Sequence, residues 1–241
     1  MIADDRDEDA RVQRLLDMLE DLDTQLADGD IAGARAVLAE ARALAGDDHP
    51  EVRYAEACIA WEERGADAAQ PLLEAIIAED PEHADARYAL ARVAEERGDR
   101  AAMIEHHLRV HALDARHDRE ARVGSQAELD HIERVATEVM SGLPSPFAER
   151  LSHVPVLLER RPSRDLVRDG FDPRALGLFD GPTDGDRVTA LPTRIVLFVN
   201  NLLADFPEDP ELSEQIEITL LHEIGHFFNL DEDDMQRLGL D

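Results

Sequence analysis

Through the first 140 residues, apolar side chains recur at intervals of three and four between short polar turns. This is the spacing that gives a helix one face toward a core. The stretches 9–27, 30–44, 50–64, 68–79, 83–97 and 100–113 each predict an amphipathic helix, and 125–140 predicts a seventh. In 83–97, Ala84, Tyr88, Ala91 and Ala94 or Glu95 fall near i, i+4, i+7 and i+11, so a face of mainly small apolar groups is available. Two prolines and a glycine within 141–146 then break any helix. Beyond Pro146 the texture changes. A short helix is predicted at 147–152, a strand at 154–158 and a second short strand at 176–179, with a polar, Arg-, Gly- and Pro-rich stretch over 160–186. The strongest strand signal is 194–199, a β-branched and aromatic run between Pro192 and Asn200. A helical turn at 201–205 and a long helix at 210–228 follow, with Pro210 in the first turn and Glu211 and Glu214 near the N-terminus, where acidic groups favour a helix.

The turns in the helical part repeat. Gly29, Gly65 and Gly98 are 36 and 33 residues apart, and His49-Pro50 and Asp80-Pro81 lie 31 apart, each opening a helix pair. A period near 34 predicts stacked helical hairpins, none of which buries its apolar face without a neighbour. The segment 50–113 resembles tetratricopeptide repeats, through Gly65 and Gly98 in the turns, Tyr54 and Trp61 on a first helix, and Pro81 closing a repeat. The Ala-rich faces (Ala55, Ala57 and Ala60; Ala84, Ala86, Ala89 and Ala91) read as close helix packing. The expected organisation is α+β overall: an all-α helical-hairpin array over 1–142, then a small α+β domain over 143–241.

Composition narrows the function. The formal charge of −30 argues against sequence-independent nucleic-acid binding and against a polybasic membrane-surface protein. All 25 basic side chains are arginine, which removes lysine chemistry such as Schiff bases and P-loops. Cys58 is the one cysteine, so no internal disulfide or CxxC motif exists. No signal peptide or membrane span is read, and a cytoplasmic protein is expected. Among the histidines, His107 and His111 stand i, i+4, but no carboxylate completes a metal motif there, and surface histidines are the expectation.

The chemistry lies in the last long helix, at Leu221-His222-Glu223-Ile224-Gly225-His226. In this HExxH pattern, His222 and His226 share a helix face one turn apart and can reach one metal ion. Glu223 lies beside them, placed to take a proton from a metal-activated water. Apolar Ile218, Leu220, Leu221, Phe227 and Phe228 surround the motif. With 15 residues after His226, a third ligand is expected from the tail or from upstream. Asn229 holds the position where related spacings carry a turn-forming Gly, and Asn adopts the left-handed conformation more readily than other non-glycine residues. Glu232, three residues on, is the expected third ligand, with Asp231 and Asp234 as alternatives. Arg194, Arg160, Arg161, His153 and Asn200 are candidate oxyanion stabilisers, both tyrosines being in the helical part.

From 147 to 234 the chain resembles the small bacterial zincin-like metallopeptidases, through 154–158, the Leu178-Phe179-Asp180-Gly181 segment, the 195–199 strand with Asn200 and Asn201, and the HExxH helix with its acidic tail. The resemblance implies a minimal zincin domain, with a short twisted sheet on the HExxH helix, and peptidase activity with one zinc ion. Residues 201–241 hold twelve acidic groups against Arg237 alone, which points to cationic peptide or protein substrates. The expected function is a zinc-dependent peptidase whose repeats present substrate or a partner. The rival is a helical-repeat adaptor with a structural or inactive zincin domain. A third reading is a peptidase kept latent by its acidic tail or its repeats.

Overall fold

The computed structural model of the chain describes residues 2–182, 193–231, 234 and 237, with side chains from residue 10 onward. Among them are eleven helices and three strands. The chain divides into two compact units, Met1–Val110 and His111–Asp241.

The first unit is a series of antiparallel hairpins: α1 (Ile2–Ala27) with α2 (Ile31–Ala45), α3 (Pro50–Arg64) with α4 (Ala66–Glu79), and α5 (Ala84–Glu96) with the start of α6 (Arg100–Ala121). Gly29, Gly65 and Gly98 take φ of 74°, 81° and 70°, so the repeating glycines occupy backbone that other residues rarely adopt. Leu22, Leu38, Val52 and Ile59 centre one apolar cluster, and Leu73, Ile76, Leu90 and Val93 centre the next. Alanines pack within these clusters, Ala55 in the first and Ala57 and Ala86 in the second. Of the Ala-rich faces, Ala55, Ala57, Ala60, Ala86 and Ala91 are buried and Ala84 and Ala89 are half-buried, and such small side chains let helix axes approach closely. Burial, with the charges of Asp23, Asp85 and Glu62, pushes the Cys58 thiol up to about 12 against an opposing hydrogen bond with Tyr54. The thiol is therefore protonated and unreactive at neutral pH. His107 is buried rather than on the surface, its ring stacked on Tyr88 at 6.0 Å.

The second unit begins within α6, which runs two turns beyond the predicted end at 113. It continues through α7 (Gln126–Gly142), α8 (Ser145–Leu151), β1 (Val156–Glu159), α9 (Arg164–Arg168), β2 (Gly177–Asp180), β3 (Arg194–Phe198), α10 (Val199–Asp205) and α11 (Asp209–Phe227). The sheet has the order β1-β3-β2, with β1 parallel and β2 antiparallel to β3. The central strand β3 is the one with the strongest apolar run, and Ile195, Val196, Leu197 and Phe198 are all buried, as a strand covered on both faces requires. One core joins α7, the sheet and α11: Ile132, Val135 and Ala136 pack with Ile195, Leu197, Leu202, Ile216, Leu220 and Ile224. Packing thus divides the chain ahead of the composition break at 142/143 and groups α7 with the sheet.

Candidate metal centre

Helix α11 carries Pro210 and acidic Asp209 and Glu211 in its first turn. Its buried face is Leu212, Ile216, Thr219, Leu220, Glu223, Ile224 and Phe227, laid against β2 and β3. His222 and His226 sit at the margin of that face, half-buried. Their Nε2 atoms converge to 3.1 Å, with ring planes at 84°. Two imidazoles holding one ion at about 2.0–2.1 Å with tetrahedral angles place their nitrogens roughly 3.3 Å apart. The observed pair therefore fits a shared divalent ion with little adjustment. Without one, an imidazole can donate its N–H to the other.

Glu223, between them in sequence, is 7% exposed and turns toward β2, where it lies over Gly177. The HExxH motif thus presents two imidazole nitrogens at the helix margin and one carboxylate held between helix and sheet.

The end of α11 follows the expectation for Asn229. This residue takes φ of 61°, its N–H donates to the His226 carbonyl at 2.9 Å, and the Leu230 N–H donates to the Gly225 carbonyl at 3.0 Å. This is a Schellman cap with Asn in place of Gly. Past it, Asp231 accepts a hydrogen bond from the Asp234 N–H at 2.8 Å, and the Asp234 carboxylate pairs with Arg237. Glu232, the expected third ligand, lies outside the described residues. Among the described residues, no group of three or more His, Cys, Asp or Glu side chains is gathered to hold an ion.

Four of the five oxyanion candidates are engaged elsewhere. Arg161 forks onto Asp118 at 2.5 and 2.8 Å and also donates to Asp114 and Asn201. Arg174 donates to Asp114 at 3.0 and 3.1 Å. Asn200 donates to Asp118 at 2.8 Å, and Arg160 donates to the carbonyls of Val123 and Gly124. Arg194 pairs with Asp180 and Glu159. His153 packs edge-on to Phe227, the residue after His226. Burial pushes the Asp118 carboxyl up, but hydrogen bonds from Arg161 and Asn200 and the charges of Arg161 and His117 outweigh it and hold the group below the ordinary aspartate range. This network explains the length of α6. Its docking face passes from apolar residues to Asp114 and Asp118, which a hydrophobic-periodicity reading does not register. His111, on the same helix, meets the Pro162 carbonyl at 2.9 Å rather than sharing a metal with His107.

Sequence reasoning also missed Gly177 and α9. A Ser163 side chain capping the Leu166 N–H was the legible signal for α9. For Gly177 no signal existed, because its role depends on the helix that crosses it.

Comparison with known proteins returns two regions of similarity. Residues 60–102 match the tetratricopeptide repeat family, across the α3–α6 hairpins. No curated protein matches the chain. Residues 151–240, which hold the sheet, α11 and the HExxH motif, match the family described as Zincin-like metallopeptidase.

Proposed function

We propose that the C-terminal unit is a zinc peptidase in which His222, His226 and Glu232 hold one ion and Glu223 is the general base. The observation that carries this reading is the convergence of the His222 and His226 Nε2 atoms to 3.1 Å on the helix that also carries the buried Glu223. Two imidazoles and a carboxylate are a donor set suited to zinc. Of the two alternatives, Asp231 caps the Asp234 amide and Asp234 pairs with Arg237, and Glu232 is proposed from its spacing three residues past the Asn229 turn.

When bound, zinc supplies a Lewis acid that polarises the scissile carbonyl and makes water acidic enough to be deprotonated near neutral pH. Glu223 accepts that proton on its carboxylate as the water oxygen bonds to the carbonyl carbon. It then delivers the proton to the departing amine nitrogen as the C–N bond breaks. Its burial between helix and strand limits the rotamers open to it, so the carboxylate is held for transfer rather than recruited to it. Glu223→Gln keeps the shape and removes the base. The expected outcome is hydrolysis reduced at least a hundredfold with zinc retained, and a variant that still cleaves at the wild-type rate contradicts the assignment.

The excess of acidic groups over 201–241 supports cationic, unfolded segments as substrates, drawn by the local field. Cleavage of an Arg-rich peptide then falls as salt rises, and that of a Glu-rich peptide does not. The hairpin unit is proposed to present the substrate or a protein partner.

A further inference from the structure

We propose that Gly177, on the edge strand β2, is the positioning residue for Glu223, which deepens the reading above and rests on Glu223 as the base. The sheet register pairs Gly177 with Leu197 and Phe179 with Ile195, so Gly177 and Phe179 share one face of β2. Helix α11 runs along that face. Phe179 meets Phe227 edge-on at 6.0 Å, and Gly177 meets Glu223 and Thr219. Two strand residues advance about 6.7 Å and four helix residues about 6 Å, so the steps from Gly177 to Phe179 and from Glu223 to Phe227 stay in register.

At Phe179 the strand supplies the side chain that fills the space between the elements. At Gly177 the strand supplies none, and Glu223 fills it together with the Thr219 methyl. A Cβ placed on Gly177 would lie 2.8 Å from Glu223 Oε1, 2.9 Å from its Cγ and 2.8 Å from Thr219 Cγ2. All three are shorter than real contacts of a Cβ. Gly177 is buried, and the strand beside it is held to β3 through the Leu176 carbonyl, which accepts from the Phe198 N–H at 2.8 Å, so the side chains facing Gly177, Glu223 first and Thr219 with it, are the parts that must move. The missing side chain therefore sets how deep the carboxylate sits. A shift of several tenths of an ångström at a proton-transferring group is enough to lower turnover while leaving substrate binding intact.

The test uses the full chain and two readouts. The first is a double-mutant cycle on metal-free protein by urea unfolding: wild type, Gly177→Ala, Glu223→Ala and the double variant. Gly177→Ala is expected to lower the midpoint, and the same change in the Glu223→Ala background is expected to lower it by less than half as much. Equal losses in both backgrounds overturn the proposal, since the added methyl would then be resisted by Thr219 or the backbone. If Gly177→Ala folds only when Glu223 is Ala, the coupling is confirmed in its strongest form; if neither folds, the proposal fails. The second readout is steady-state cleavage of a disordered Arg-rich peptide by zinc-loaded protein. Gly177→Ala is expected to lower kcat at least tenfold with KM within twofold and zinc content unchanged. A wild-type kcat overturns the positioning role while the reading of Glu223 stands. Undiminished cleavage by Glu223→Gln instead removes the base assignment, and the catalytic role of Gly177 with it.

Discussion

The hairpin unit and the C-terminal unit bury their helices by different means. In α2, α3 and α5 the contact faces are alanines and aliphatics such as Ala41, Val52, Ala86 and Leu90. In the C-terminal unit, α7 and α11 are packed that way, but α6 is fastened to the loops after β1 and before β2 through Arg161 and Arg174 on Asp114 and Asp118. The apolar faces tolerate gradual change, because the cost of a substitution scales with the volume lost. The charged face does not, because removing one partner strands the other charge out of water.

The largest effect expected from this contrast is all-or-none. A fragment of residues 111–241 keeps Asp114, Asp118 and the α7 side chains Ile132, Val135 and Ala136. A fragment of 143–241 loses them all. We expect the longer fragment to unfold cooperatively in urea and the shorter one to show no cooperative transition. A cooperative 143–241 fragment would restore the boundary suggested by composition and make α7 dispensable.

Next in size is Arg161→Leu, which removes the forked ion pair and leaves buried Asp118 with the Asn200 hydrogen bond and the charge of His117. The expected loss is about 3–5 kcal/mol by urea denaturation at neutral pH. The variant should also reverse the local response to acid. In the wild type, Asp118 titrates below the ordinary aspartate range, so its contribution is present above the unfolded value of about 3.9 and is lost as pH falls toward the folded one. Without Arg161, burial dominates and protonation relieves the stranded charge, so the deficit relative to wild type should shrink on acidification. A deficit that is constant with pH would show that Arg161 acts through packing alone.

The smallest effect lies in the hairpin unit. Gly65 has φ of 81° and ψ of 176°, and a Cβ there would meet nothing within 4 Å. Gly65→Ala should nonetheless cost about 1–3 kcal/mol, read by thermal unfolding, because the conformation is nearly exclusive to glycine. A neutral substitution would mean that the turn relaxes, and that the repeating glycines are not what fixes the hairpins.

The same contrast explains what could be read in the sequence. Helix α3 was legible to the residue, and β3 and α11 nearly so, because apolar period, proline and acidic first turns all agreed. The apolar period of α6 ends at Leu113, since its next two turns are fastened by Asp114 and Asp118. Pro144 and Pro146 mark a break in composition that groups α7 with the hairpins, whereas its apolar face packs on α11 and the sheet. At the candidate site, His222, Glu223 and His226 and the left-handed turn at Asn229 followed from spacing within one helix. Gly177 could not, because what it does depends on a side chain 46 positions away in the sequence that only the packed sheet and helix bring to it.

The most direct test of the zinc centre is the metal content of the full-length chain, measured by native mass spectrometry after exposure to zinc and exhaustive dialysis, for wild type and Glu232→Ala. The account predicts one zinc per chain in the wild type and a weakened or lost ion in the variant. A wild type that holds no zinc, or a Glu232→Ala variant that holds it as tightly as the wild type, would contradict the three-ligand centre.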